Sequence, residues 1–69
     1  MIDPMIRLQD PVFNGWDMSI EWHSDAYPCV NISVRKNFSR IIRTGYGSGL
    51  TLVLAFNEAL DEIISKLKL

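Results

Sequence analysis

Cys29 and His23 are the one cysteine and the one histidine of the chain, and the strand pairing predicted below makes them neighbours. A thiol beside an imidazole is the arrangement of a nucleophile and its general base. Nothing in the sequence activates the thiol or orients the imidazole. The carboxylates of Asp17 and Glu21 are expected on an open sheet face, whereas catalytic carboxylate pairs need a cleft. We therefore predict that the protein is not an enzyme.

Metal and cofactor sites are equally hard to build from these residues. A structural zinc ion takes four Cys or His ligands, and the chain has one of each. The glycines Gly45, Gly47 and Gly49 invite comparison with a phosphate-binding loop, but the lysine of that loop is missing. We interpret them as supplying the positive φ with which a chain leaves a strand and enters a helix. The sequence predicts no cofactor and no metal.

The charges are unevenly distributed, although 7 Lys and Arg nearly balance 8 Asp and Glu. Residues 26–57 contain no acidic residue and four basic ones, which are Arg35, Lys36, Arg40 and Arg43. With Tyr46 close by, this segment could follow a nucleic-acid backbone. The alternative, which we favour, is a solvated hairpin whose charges discourage edge pairing. The net charge of −1 also disfavours general attraction to phosphate or to anionic membranes.

Residues 51–69 are predicted to form a helix. The segment contains no Gly or Pro, and Thr51 is a suitable N-cap. Its apolar residues recur at spacings of three and four and so lie along one stripe that faces the core. The members of this stripe are Leu52, Phe56, Ala59, Leu60, Ile63 and Leu67.

Two segments alternate apolar and polar residues with a period of two, as half-buried strands do. The apolar positions are Met18, Ile20 and Trp22 in the first strand and Val30, Ile32 and Val34 in the second. A turn over residues 24–28 joins them. If His23 faces Cys29, antiparallel pairing sets Trp22 by Val30, Ile20 by Ile32, Met18 by Val34 and Asp17 by Arg35.

A third strand is predicted from Phe38 to Tyr46. Its facing is ambiguous, and we favour Phe38, Ile42 and Tyr46 as the inward side because they carry more apolar mass than Ile41 on the other side. The predicted fold class is α+β, with a three-stranded antiparallel meander over residues 18–46 and a C-terminal helix packed on the sheet.

Residues 1–17 are predicted to form an irregular N-terminal arm within this single small domain. Pro4 and Pro11 are predicted to break any helix, and Asn14-Gly15 is a turn signal flanked by Phe13 and Trp16. The two aromatic residues either close over one end of the core or belong to an arm that lies on a partner subunit.

The size of the chain suggests that something outside it adds stability. A core formed by 69 residues rarely contributes more than about 3–5 kcal/mol, and neither a disulfide nor a zinc site is available. An apolar share of 48% is also high for a small monomer. Oligomerisation or a bound partner is the expected support, and a homodimer is our prediction.

Val53 and Leu54 are apolar where the first turn of a helix favours Asp or Glu. Leu54 lies in line with Glu58 and Asp61, on the face expected to meet water. Either the arm folds over this pair, or another chain covers it, and we favour the second. With Phe13 and Trp16, the pair would form the apolar centre of a contact surface.

The segment 47–60, in which a glycine-containing turn leads to Thr51-Leu52 and a helix with alanines at 55 and 59, resembles a recurring pattern. The pattern is that of many small bacteriophage-encoded proteins, and it is loosely similar to the sheet-plus-helix domain of HicB-type antitoxins. The resemblance covers about residues 27–67 and supplies no functional residues. It implies a phage or prophage origin. The chain departs from the pattern at Val53 and Leu54, where acidic residues would follow Thr-Leu.

The function predicted from the sequence is that of a non-enzymatic protein-binding module. It would bind a host macromolecule and modulate or inhibit it, with the basic residues 35–43 setting the orientation. The alternative is a nucleic-acid-binding module or an antitoxin-like domain. The longest apolar run is far short of a membrane span, and the expected location is the cytoplasm, of the host if the chain is phage-encoded.

Overall fold

The elements of the fold follow one another in the predicted order. In the computed structural model, which describes residues 2–68, the chain forms α1 (Pro4–Arg7), a 3-10 helix (Pro11–Phe13), β1 (Trp16–Ser24), β2 (Pro28–Lys36), β3 (Ile42–Ser48) and α2 (Leu52–Leu67). The strands form one antiparallel sheet in the order β1-β2-β3, and α2 packs on it. The α+β meander followed by a C-terminal helix is confirmed. Met1 and Leu69, the ends of the predicted arm and helix, lie outside the described residues.

The register of β1 on β2 is the predicted one. The Cα partners are Asp17↔Arg35, Met18↔Val34, Ile20↔Ile32, Trp22↔Val30 and His23↔Cys29. Val30, Ile32 and Val34 are fully buried under α2. Because successive side chains of a strand point to opposite faces, a shift of the β1–β2 register by one residue would place the apolar side chains of the two strands on opposite faces of the sheet.

The predicted facing of β3 is wrong. Ile42 and Tyr46 are more than half exposed, whereas Gly45 and Gly47 are the buried residues of this strand. Phe38 lies outside the strand, which begins at Ile42. The inward face of β3 thus carries almost no side chain, because α2 itself fills the space.

The close approach of α2 to β3 explains the two strand glycines. A Cβ on Gly47 would lie 2.1 Å from the carbonyl oxygen of Ala55, and one on Gly45 would lie 2.6 Å from that of Ala59. Neither glycine has a positive φ; that conformation occurs at Gly15, in the predicted Asn14-Gly15 turn. The interpretation of these glycines as left-handed turn residues is therefore wrong, and they are sites of backbone-to-backbone contact.

The helix α2 begins as its sequence predicts and buries most of the expected stripe. The Thr51 hydroxyl accepts a hydrogen bond from the backbone N–H of Leu54 at 3.2 Å. Ala55, Ala59, Leu60 and Ile63 are fully buried, and Phe56 and Leu67 pack against them. Leu52 stays 37% exposed, because the first turn precedes Ala55, the residue that meets the last glycine of β3.

The N-terminal arm is folded onto the domain, and the prediction that its prolines break any helix is wrong, because Pro4 and Pro11 each begin a helical turn. The carboxylates of Asp3 and Asp10 accept hydrogen bonds from the backbone N–H groups of Met5 and Val12, and each caps a helical turn that starts with proline. The Arg7 guanidinium donates to the backbone and side-chain oxygens of Asn57 and to the carboxylate of Asp61. These contacts hold α1 along α2.

The outer edge of β3 is covered by side chains of α2. The backbone N–H of Tyr46 donates to the Glu62 carboxylate at 3.3 Å, and the Lys66 ammonium donates to the carbonyl oxygen of Thr44 at 2.6 Å. Glu62 and Lys66 also form an ion pair at 3.1 Å. The pair occupies backbone groups that another strand could otherwise bind.

The glycine contact predicts a large loss of stability from one methyl group. We expect Gly47→Ala to lower the free energy of unfolding by about 3 kcal/mol or more, because helix and strand backbones must separate. The urea unfolding midpoint measures the effect. Ser48→Ala, one residue on and facing away from α2, is the matched control and should change stability by less than about 0.5 kcal/mol. Equal effects of the two substitutions would contradict the close-contact explanation.

The edge contacts predict a pH dependence of stability. Hydrogen bonding from Lys66, then from the Tyr46 backbone, lowers the pKa of Glu62 from its ordinary value of 4.5. A carboxyl whose pKa is lower in the folded state stabilises the fold above the unfolded pKa, and this contribution disappears as the pH falls through the folded pKa. The urea midpoint of the wild type should therefore fall more between pH 6 and pH 3 than that of Glu62→Gln. Parallel curves for the two proteins would refute the prediction.

Candidate functional site

The four residues predicted to form an apolar contact surface do not lie together. Phe13 is 8% exposed and belongs to the core, so it offers no surface to a partner. Trp16 is half-buried at the start of β1, opposite Lys36, whose ammonium lies 5.8 Å from the centre of the Trp16 ring. Val53 and Leu54 lie at the other end of the sheet and are 45% and 38% exposed. The opposite ends of β2 are roughly 26 Å apart at the rise of a strand.

The arm covers one side of the helix start only. The Asn57 amide donates to the carbonyl oxygens of both Ile2 and Val53, which brings the arm beside Val53. Leu54 points instead towards Gly49, where a Cβ would lie 3.0 Å from that of Leu54. Both aliphatic side chains keep more than a third of their surface exposed.

The basic residues of the β2–β3 hairpin lie on different faces. Arg35 pairs with Asp17 and Ile42 on the sheet face away from α2. Lys36 lies beside Trp16, and Arg43 pairs with the buried Val34, so both belong to the helix side. Arg40 lies in the turn. Arg35 and Arg40 border one shallow depression with Phe38, and the carboxylate of Asp17 borders it too.

Phe38 is the most exposed side chain of the hairpin. Its ring is fully in solvent, and its backbone φ is +59°, a conformation that bulky residues rarely adopt. The turn carries this ring because Asn37 and Phe38 reverse the chain between β2 and β3. The aromatic tip lies at the opposite end of the sheet from Leu54.

A second depression, of about 440 Å³, lies on the sheet face away from α2, near the helix start. We call it the tyrosine depression; it is lined by Tyr27, Cys29, Tyr46, Ser48, Gly49 and Leu50. Antiparallel pairing of Cys29 with Ser48 positions its floor, and the turns before β2 and after β3 bring Tyr27 and Leu50 to its sides. Tyr27, Tyr46 and Leu50 are 60%, 51% and 79% exposed.

The polar groups of the tyrosine depression interact with one another. Hydrogen bonding to the Cys29 thiol raises the pKa of the Tyr46 hydroxyl above 10.0, and the nearby Glu58 carboxylate raises it further. The Cys29 thiol also lies 3.4 Å from the carbonyl oxygen of Tyr27. The depression therefore combines apolar walls with a neutral phenol and a thiol, and it has an acidic side chain nearby.

Sequence reasoning included Tyr46 among the nucleic-acid candidates and Leu54 among the partner-binding residues, but it missed Tyr27 and Leu50. The signal for both is the register of β3 on β2, in which Cys29 faces Ser48. Extending antiparallel pairing to the glycine-rich end of β3 sets the turns at 27 and 50 side by side. The wrong facing of β3 concealed this arrangement.

Catalytic and metal-binding groupings are not apparent among residues 2–68. His23 and Cys29 are cross-strand partners, but His23 is exposed, and neither residue lies in a closed cleft. No three His, Cys, Asp or Glu side chains of the described segment come together as metal ligands would. None of its helices is long and apolar enough to cross a membrane.

Comparison of the chain with protein-family models, with curated proteins and with solved structures found no match. The resemblance to phage-encoded proteins and to the HicB-type domain therefore stays a prediction.

Proposed function

We propose that this protein is a non-enzymatic binding module that receives an apolar side chain of a partner protein in the tyrosine depression. The observation that carries the proposal is the exposure of Tyr27, Tyr46 and Leu50 around one concave, mainly apolar site. A small protein gains nothing for its own fold by leaving such side chains in water. Tyrosines around an apolar pocket are typical of residues that dominate binding energy.

The charge near the depression indicates the chemistry of the partner. Glu58 lies close enough to Tyr46 to raise its pKa, and Asp25 is two residues from Tyr27. A partner segment with a large apolar residue next to Lys or Arg would complement both the walls and the charge. Leu54, beside Gly49, extends the apolar area towards the helix start. Under the phage resemblance, the partner would be a host protein.

Selection from a random peptide library displayed on particles tests the proposal without knowledge of the partner. We expect selected peptides to share a large apolar residue flanked by a basic one. Leu50→Asp should weaken their binding at least tenfold, or about 1.4 kcal/mol, as measured by fluorescence anisotropy. The matched control is Ile42→Asp, which adds the same charge on the same sheet face but at the hairpin end. Selection of no peptides, or an equal loss in the control, would reject the proposal.

A second candidate function rests on the hairpin tip. Phe38 with Arg35 and Arg40 combines an exposed aromatic ring with two cations, as in proteins that stack single-stranded nucleic acid. Arg43 and Lys36 lie on the other face and would not contribute to this contact.

This candidate predicts weak, salt-dependent binding of a labelled single-stranded oligonucleotide. Two cations give a slope of log K against log salt of about −1.4. Phe38→Ala and Arg40→Glu should each weaken binding, whereas Arg43→Glu should leave it unchanged. An anisotropy titration at low salt provides the measurement, and the absence of binding there would eliminate the candidate.

A further inference from the structure

The two edges of the sheet differ. At the β3 edge, Glu62 and Lys66 bind the outward backbone groups of Tyr46 and Thr44. At the β1 edge, a nine-residue strand runs from Trp16 to Ser24, and no strand within residues 2–68 lies on its outer side. An open edge of this length is a template for another strand.

The alternation of the ladder identifies which backbone groups of β1 are unpaired. Since Thr44 and Tyr46 direct backbone groups away from β2, their partners Ser33 and Asn31 direct theirs towards β1. Ser19 and Glu21, opposite Ser33 and Asn31, are then the residues of β1 that bond to β2. The N–H and C=O groups of Met18, Ile20 and Trp22 consequently face the open edge. Within residues 2–68, no other element donates to or accepts from them.

The side chains of the same three residues are incompletely covered. Their partners on β2 are buried under α2, so Met18, Ile20 and Trp22 point to the helix side of the sheet. The helix lies over β3 and β2 rather than over β1. Met18 and Ile20 are half-buried at the border of the core, and Trp22 is 58% exposed.

We infer that β1 pairs antiparallel with β1 of a second copy of this chain, about a two-fold axis through Ile20, to form a continuous six-stranded sheet. On the helix side, this register sets Ile20 against its own copy and Met18 against Trp22 of the second copy. On the other side, it sets the Asp17 carboxylate opposite the His23 imidazole and Ser19 opposite Glu21. The central three pairs would exchange roughly six backbone hydrogen bonds.

The charges of β1 select this register over its neighbours. A two-fold axis perpendicular to the sheet keeps the helices of both copies on one face. Because opposite residues must then point to the same face, the centre of the pairing can move from residue 20 only by whole residues, first to 19 or 21. A pairing centred on residue 19 would oppose Asp17 to Glu21, and one centred on residue 21 would oppose Glu21 to itself. Like charges directly opposite are destabilising. The pairing centred on Ile20 avoids both like-charge contacts. It also sets the Asp17 carboxylate, an acceptor, opposite the His23 imidazole, a donor.

Disulfide trapping tests the register directly. In a Cys29→Ser background, Asp17→Cys and His23→Cys are made as separate proteins. In the inferred pairing, position 17 faces position 23 of the other copy at about 4.5 Å between Cα atoms, whereas two copies of position 17 are roughly 20 Å apart. Oxidation should therefore cross-link an equal mixture of the two proteins and leave each protein alone uncross-linked. Equal cross-linking of the separate proteins would overturn the register.

Sedimentation equilibrium from roughly 1 µM to 1 mM tests the dimer itself. We expect the wild type to dimerise and Asp17→Lys and His23→Glu each to weaken the dimer at least tenfold. The double variant should restore it, because a lysine then faces a glutamate. Asn31→Lys, an exposed position on β2, is the charge control and should dimerise as the wild type does. Urea unfolding of each variant confirms that the monomer is folded.

A mass of 7.9 kDa at every concentration, or a dimer indifferent to both charge changes, would overturn the inference. The tyrosine depression lies on β2 and β3, away from this edge, so these outcomes leave the proposed function to its own test.

Discussion

The contact between the backbones of β3 and α2 determines the arrangement of the rest of the domain. Gly45 and Gly47 carry no side chain towards the helix, and Ala55 and Ala59 offer only methyl groups in return. The helix therefore lies directly on the strand. The larger apolar residues, Ile32 among them, fill the space beneath α2 on β2. A core of this size cannot lose such a contact, because 69 residues leave little other buried surface to compensate for it.

Placing the helix over β3 and β2 has a consequence on the β1 side. α2 leaves the face of β1 less covered, and Phe13 of the arm belongs to the core cluster, against which Leu8 and Val12 of the arm and Met18 and Ile20 of β1 also pack. Arg7 holds the arm in place by binding Asn57 and Asp61. The arm is thus a structural part of the domain. Trp22 lies at the far end of β1 and stays exposed.

The predictable parts of the structure are those recorded in side-chain patterns. The pairing of β1 with β2 follows from alternating large residues, because this register sets the half-buried Ile20 opposite the buried Ile32. The side-chain pattern does not indicate which face of β3 points inward, since its buried positions are glycines and its exposed positions are Ile42 and Tyr46. Choosing the face with more apolar side chains as the inward one gave the wrong facing of β3, and the tyrosine depression was missed for the same reason. Phe38 shows the same limit, since its left-handed, fully exposed position is set by the tight turn and not by its chemistry.

The ion pair of Glu62 and Lys66 also limits how far the sheet could extend. A sheet with two available edges can add subunits at both sides and grow into a fibre without an end. Here Glu62 and Lys66 occupy backbone groups at the β3 edge, so the β1 pairing inferred above would give each molecule a single valency for strand addition. Assembly through such a valency is complete once two molecules have met. A small protein can in this way keep an unpaired edge strand that binds another strand and still not polymerise.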